Sequence, residues 1–201
     1  MNTELTLRIS LAIIFLALAV IRIYYFVAGI KWGASFSTRR LGSFKGFLTW
    51  FLYGLIALLA VIYIFAPDWL QWAEMTMPPA LRWFGIGIGF LSVLILLWVH
   101  RTLGNNFAMP GITQAQQTLV TAGPYRWVRH PMYTTFCMIA LALVLTTANW
   151  FIAGVGLLFF TLMGSVTRIE EQTLIEKFGN AYLEYMKRTG RFLPRTKGES
   201  R

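Results

Sequence analysis

Long apolar runs separated by short polar stretches dominate the chain, and their spacing predicts an all-α, polytopic membrane protein. Leu5 to Ala28, Phe44 to Phe65 and Leu81 to Val99 read as three membrane helices. Met132 to Ala148 and Trp150 to Thr167 are two further runs with Asn149 in the break, so they read as a helical hairpin. Each is slightly short for a straight span of about 20 residues. From Arg168 to Arg188 the pattern turns amphipathic. Leu174, Ile175, Phe178, Tyr182 and Tyr185 share one helical face, with Glu176, Lys177, Glu184 and Lys187 elsewhere. Gly190 and Pro194 then act as stop signals. The pattern thus predicts about five transmembrane helices, a long loop over 100–130 and a C-terminal amphipathic helix. Without a repeat or a second domain, 1–201 reads as a single membrane domain. Three N-terminal helices fill 1–100; the loop, hairpin and C-terminal helix fill 101–201.

Two details inside the runs carry meaning. Arg22 interrupts the first run near its later end, where a side chain snorkelling to the interface is the simplest reading. Gly85, Gly87 and Gly89 mark a place for close helix approach in lipid, not a nucleotide loop, since neither a strand nor a phosphate-binding pattern flanks them.

Composition agrees with the pattern. The 201 residues are 57% hydrophobic and only 13% charged, which excludes an ordinary soluble domain. The net charge of +10 therefore reads as basic loops meeting anionic lipid, not as nucleic-acid binding. Cys137, the only cysteine, lies in an apolar run, which excludes an intrachain disulfide and a thiolate cluster. His100 and His130 alone do not make a metal site. The first run lacks a small-residue cleavage pattern and reads as a retained helix. Basic residues gather in the first loop (Lys31, Arg39, Arg40, Lys45), the long loop (Arg101, Arg126, Arg129) and the segment from Arg168 on, whereas the loop at 67–80 has only Asp68 and Glu74. The positive-inside rule places the basic segments together in the cytoplasm, with the N-terminus outside.

The chemistry concentrates in 118–133, a polar and aromatic stretch that ends where an apolar run begins. Pro131 suits the first turn of a helix, so Arg129 and His130 sit at a helix mouth whose free N–H groups favour an anionic ligand. His130 either bonds backbone there or contacts a ligand. Tyr125 and Tyr133 either stack on a heterocycle or belong with Trp127 to the interfacial belt. Arg168, Glu170 and Glu171 either form a polar flank or complete the site, a carboxylate holding a cofactor and Arg168 a substrate carboxylate. His100 reads as structural. These residues imply a cytosol-facing site for a charged cofactor and an apolar substrate, without naming the reaction.

Residues 119–133, Leu-Val-Thr-Ala-Gly-Pro-Tyr-Arg-Trp-Val-Arg-His-Pro-Met-Tyr, resemble the signature of the isoprenylcysteine carboxyl methyltransferase family, in its prokaryotic form. Leu103-Gly104-Asn105-Asn106 is similar too, as are Glu170-Glu171, Leu174-Ile175, Phe178-Gly179 and Tyr182-Leu183-Glu184-Tyr185. The resemblance covers roughly 100–195. It implies an integral membrane methyltransferase using S-adenosyl-L-methionine, bound by Gln117, Thr118, Leu119, Val120, Tyr125, His130, Pro131, Met132, Tyr133 and Glu170. Gln117 stands where eukaryotic members often have histidine. Relatives with prenyl substrates carry an arginine about a turn before the glutamate; here that position is Val166, and the nearest arginine is Arg168. The expected catalytic residues are Arg168 and Glu171, the latter or His130 serving as base if the acceptor is an amine or thiol.

The implied reaction is methyl transfer to a lipophilic acceptor, an isoprenylcysteine-like carboxylate, with a phospholipid amine or small thiol as alternatives. The implied partners are a lipophilic or prenylated substrate and membrane lipid, with no nucleic acid and no metal. A membrane reductase using a nicotinamide cofactor and a non-enzymatic transport or assembly protein are the competing classes. Few ionisable residues at mid-membrane speak against the latter.

Overall fold

The computed structural model describes residues 3–31, 35–36, 44–104, 112–113 and 118–195. Six helices carry nearly all of it: α1 (Thr3–Lys31), α2 (Phe44–Phe65), α3 (Pro79–Leu103), α4 (Pro131–Thr147), α5 (Trp150–Phe178) and α6 (Asn180–Arg188). Short 3-10 helices occupy Pro67–Ala73 and Gly123–Arg126. A two-residue antiparallel ladder joins β1 (Ser35–Phe36) to β2 (Ile112–Thr113), so the first loop and the long loop meet on one side of the bundle.

Among the described residues four helices are long and apolar enough to cross a membrane: α1 over Thr3–Ala28, α2 over Phe47–Phe65, α3 and α5. The fifth, α4, is apolar but has 17 residues. The protein is therefore an all-α polytopic membrane protein. Leu7, Leu11, Ile14 and Leu18 form the inward stripe of α1, and Leu52, Ile56, Leu59 and Tyr63 that of α2. Leu16, Leu94 and Leu157 stand outward and exposed on α1, α3 and α5, a surface suited to lipid and not to water. Association of such helices rests on close van der Waals packing. Hence a Cβ at Gly85 would lie 2.8 Å from Leu145 Cβ on α4, and one at Gly89 2.7 Å from Ile14 Cδ1 on α1. Gly87, between them, faces open space.

The α4–α5 turn is built as its sequence suggests. Ala148 takes the left-handed conformation at φ 49°, and the Asn149 side chain caps α5 by accepting from Ile152 N at 3.0 Å. The same side chain donates to Leu70 O at 2.9 Å and ties down the turn after α2. At this end of the bundle Arg82 pairs with Glu4 and donates to Thr146 O at 2.9 Å, pinning α1, α3 and α4 together.

The boundary expected near Thr167 is absent. α5 runs unbroken to Phe178, because Arg168 to Phe178 contains neither glycine nor proline and is rich in good helix formers. Gly179, at φ 54°, ends it, and α6 follows as a short separate helix. The 29 residues of α5 span about 43 Å, against about 25 Å for α4. Starting from a shared turn, α5 therefore overshoots the start of α4 by several turns. That geometry sets Glu170 and Glu171 level with the mouth of α4.

Candidate active site

The mouth of α4 is assembled from three segments. The first is the stretch leading into it. Thr118 is exposed, and Leu119 and Val120 are half-buried in an irregular run before the 3-10 turn. Gly123 begins that turn at φ 55°, and a Cβ there would lie 2.4 Å from Thr102 Oγ1 at the end of α3. Only glycine allows both that conformation and that approach. Trp127 then packs edge-on against Trp98 of α3, their centroids 5.6 Å apart.

The second segment is the C-terminal strap. Arg129 N donates to Gly190 O at 2.8 Å, His130 N to Arg191 O at 3.0 Å and Gly190 N to Trp127 O at 3.1 Å. Thr134 Oγ1 donates to Phe192 O at 2.9 Å, and the Tyr185 hydroxyl to Tyr125 O at 2.6 Å. Residues 125–134 are thereby sewn to 185–192.

The third segment is the protruding end of α5. Glu171, only 3% exposed, accepts from Arg129 Nε at 2.8 Å and pairs with Arg191 Nη2. Arg129 also donates to Met186 O at 3.2 Å and to Thr189 O. His130 Nε2 lies 3.3 Å from Glu171 Oε1 without hydrogen-bond alignment, so this buried nitrogen makes no hydrogen bond to a described residue. Beside this buried cluster, half-buried Glu170 accepts from the Tyr133 hydroxyl at 2.9 Å. Burial pushes the Tyr125 phenol well up from its ordinary value, and the nearby Glu170 carboxylate and Tyr185 act the same way, so Tyr125 stays neutral. Burial likewise pushes Tyr185 up to about 12.

The residues expected at the site thus separate into groups. Tyr125, His130, Pro131, Met132, Tyr133 and Glu170 come together at the mouth of α4, and Thr118, Leu119 and Val120 lead into it. Glu171 lies behind them, its oxygens engaged by two guanidinium groups. Arg168 is exposed, and its position on α5 is two residues, or about 200° of helix, away from Glu170. Gln117 lies outside the described residues, as do Asn105 and Asn106. Arg22 does not snorkel: its Nη1 lies 3.8 Å from Met132 Sδ, and its guanidinium stands over the Phe136 ring at 5.4 Å.

Sequence reasoning missed one feature and misread another. The Arg129–Glu171–Arg191 clamp carried one signal, a Gly-Arg pair directly after an amphipathic helix, but pairing across 20 and 42 residues has no local signature. Arg22 carried a stronger one, a charge inside an apolar run.

The mouth of α4 presents several kinds of group that a charged ligand could meet. A carboxylate (Glu170) attracts an ammonium or sulfonium group. The first turn of α4, whose N-cap His130 makes no side-chain cap, leaves backbone N–H groups for a carboxylate. Tyr125, Tyr133 and His130 supply ring surface and hydrogen-bonding groups. Among the described residues no three of His, Cys, Asp or Glu gather as a metal group.

Residues 80–181 match the model of a family described as phospholipid methyltransferase. Among curated proteins, the methanethiol S-methyltransferase of Pseudomonas deceptionensis is 32% identical over 121 residues, covering 55% of this chain and 43% of that protein. The human protein-S-isoprenylcysteine O-methyltransferase is 37% identical over 101 residues, 48% of this chain and 35% of that one. The cobalt-zinc-cadmium resistance protein CzcN of Cupriavidus metallidurans is 39% identical over 126 residues, 59% of this chain and 58% of that protein. The chain spans about half the length, or less, of these relatives.

Proposed function

Because the chain belongs to the phospholipid methyltransferase family, whose model covers half of it, we propose that it is a membrane methyltransferase dependent on S-adenosylmethionine. The observation that supports this best is the Tyr133–Glu170 pair at the uncapped mouth of α4, inside the family-matched segment. We propose that Glu170 and Tyr133 hold the amino end of the donor. The first-turn N–H groups of α4 would hold its carboxylate, and Tyr125, Leu119 and Val120 its nucleoside. When bound, the donor supplies a sulfonium methyl that an acceptor nucleophile takes in one displacement, the C–S bond electrons staying on sulfur as a neutral thioether. The protein's part is alignment and exclusion of water. An ionised carboxylate acceptor needs no base. A thiol, which the Pseudomonas relative's name suggests, or a phospholipid amine would need one, and His130 is then the candidate. Glu171 acts as a positioning residue in this reading, since both of its oxygens are engaged.

The mouth of α4 lies about 25 Å from the hairpin turn, just inside one face of a hydrocarbon layer about 30 Å thick. A lipophilic acceptor therefore reaches it from the bilayer, while the donor enters from the water on the side of the basic loops, the cytoplasm by the positive-inside rule.

Calorimetric binding to the detergent-purified chain tests the reading. S-adenosylhomocysteine should bind saturably and NADPH should not. Tyr133→Phe should weaken it about 5-fold, the equivalent of one hydrogen bond near 1 kcal/mol, and Glu170→Ala about 10-fold or more. Folded protein that ignores S-adenosylhomocysteine would refute the proposal.

A further inference from the structure

The end of the bundle opposite the mouth of α4 holds a cavity that the reading above does not use. It has a volume of about 190 Å³ and lies among the first turns of α1, the end of α2, the 3-10 helix after it, the start of α3 and the α4–α5 turn. That is smaller than the roughly 300–1,000 Å³ of a site for a drug-sized molecule, so it suits a small polar group. Its walls are fixed. Arg82, besides its pair with Glu4 and its bond to Thr146 O, donates from Nη2 to the hydroxyl of buried Tyr63 at 3.1 Å. Asn149 has both polar side-chain atoms engaged. Met75 N donates to Ala148 O at 2.7 Å and a backbone bridge joins Glu74 to Asn149, so the segment carrying Glu74 is held against the hairpin turn.

Two charges in the lining have no counterion. Arg8, half-buried on α1 one turn after Glu4, donates from Nε to Ile64 O at 2.8 Å and from Nη2 to the same oxygen. Among the described residues neither Arg8 nor Glu74 has an ion-pair partner. A half-buried guanidinium resting on one backbone oxygen keeps open donors that favour an anion. Glu4 and Arg82 answer each other, so the cavity is left with one cation and one anion. It is complementary to a small group that carries both charges.

Depth shows where such a group comes from. Leu70 and Gln71 line the cavity, while Trp69 and Trp72 of the same 3-10 helix stand exposed, as does Trp150 across the turn. The rings of Trp72 and Trp150 meet edge to face at 5.1 Å. Exposed tryptophans gather at the level of lipid headgroups. The cavity therefore opens among the headgroups of the leaflet farther from the mouth of α4.

We propose that this cavity binds the headgroup of a zwitterionic phospholipid with a primary ammonium, its phosphate on Arg8 and its ammonium on Glu74. A choline group has no N–H to give a carboxylate and favours aromatic faces, of which Tyr63 supplies the single one in the lining. The lipid is held and not methylated, because the length of α4, about 25 Å, separates its headgroup from the mouth. Bound there, it ties α1 and α2 to the 3-10 helix and stabilises that end of the bundle by mass action. The proposal is independent of the methyltransferase reading.

The test uses the whole chain, purified in dodecyl maltoside and stripped of lipid. Native mass spectrometry measures retention of the first lipid, and a thermal scan reads stability. Dioleoyl phosphatidylethanolamine is the probe, compared with the phosphatidylglycerol and phosphatidylcholine of the same chains and with soluble glycerophosphoethanolamine. The parent should hold phosphatidylethanolamine at least about 5-fold tighter than either other lipid and melt higher with it, and should hold the soluble headgroup at least about 10-fold more weakly. Arg8→Met should weaken phosphatidylethanolamine about 10-fold or more, the range of one charge-assisted bond. Glu74→Gln should weaken it about 10-fold and leave phosphatidylglycerol unchanged or tighter, since a repulsion is lost. Should Arg8→Met fail to fold, exposed Glu74 carries the comparison alone. A parent that holds the three lipids alike overturns the proposal, as does a Glu74→Gln variant that keeps the parent's preference. A soluble headgroup held as tightly as the lipid overturns it too, since the site would then take a free solute.

Discussion

Removing the Glu171 carboxylate should unfasten the strap that holds the mouth of α4 in shape. In Glu171→Ala the guanidinium of Arg129, whose side chain is 10% exposed, loses its carboxylate while staying buried. Breaking a buried pair in this way costs about 3–5 kcal/mol. Arg129 keeps its bonds to Met186 O and Thr189 O, and Arg191 is 31% exposed and can turn to water, so the low end of that range applies. About 3 kcal/mol corresponds to a factor of about 100 in an equilibrium. The equilibrium concerned is local, because the strap at 189–192 is otherwise held by backbone hydrogen bonds to 127–130 and by Thr134.

Hydrogen–deuterium exchange in detergent reads that opening directly. The amides of Arg129 and His130, which donate to Gly190 O and Arg191 O, should exchange about 100-fold faster in Glu171→Ala, with the core of α2 unchanged. Glu171→Gln keeps shape and one acceptor but loses the charge, and a neutral bond is about half as strong, so about 10-fold is expected. Unchanged exchange at Arg129 and His130 would refute the clamp. Uniform acceleration through all helices would refute its local character.

Two further substitutions probe the frame around the mouth. Gly123→Ala drives a methyl group into Thr102 and forces a left-handed φ on alanine, so the melting temperature should fall, by roughly 1–3 kcal/mol of stability, and S-adenosylhomocysteine binding should weaken with it; a thermal scan and calorimetry check both. Arg168→Ala removes an exposed side chain, so donor binding and turnover should both stay within about 2-fold of the parent, a result that steady-state kinetics on the purified chain would establish or deny.

What the chain disclosed in advance, and what it withheld, follows from the range of the interactions involved. Helix α2 was legible residue for residue, and α4 and its hairpin turn to within one, because apolar runs and a capping asparagine are local signals. The mouth residues Tyr125, His130, Pro131 and Tyr133 were legible as a group, since they lie in one polar stretch that a proline ends. The end of α5 was misplaced because hydropathy stops at Thr167 while helix propensity does not; only Gly179 breaks the backbone. That difference matters to the chemistry. A helix ending at Thr167 would have left Glu170 and Glu171 on a separate element with no fixed depth. The continuous one carries them rigidly past the start of α4, so Tyr133 meets Glu170 and Arg129 meets Glu171 through helix length alone. Arg22 was misread for the converse reason. Its distance from the helix end fits snorkelling, but its direction around α1 is set by Leu11, Ile14 and Leu18, which face the core and turn Arg22 toward α4 with them. Depth could be counted along the sequence, whereas azimuth depended on which face the bundle buries, and that decided whether the charge met water or the inside of the bundle.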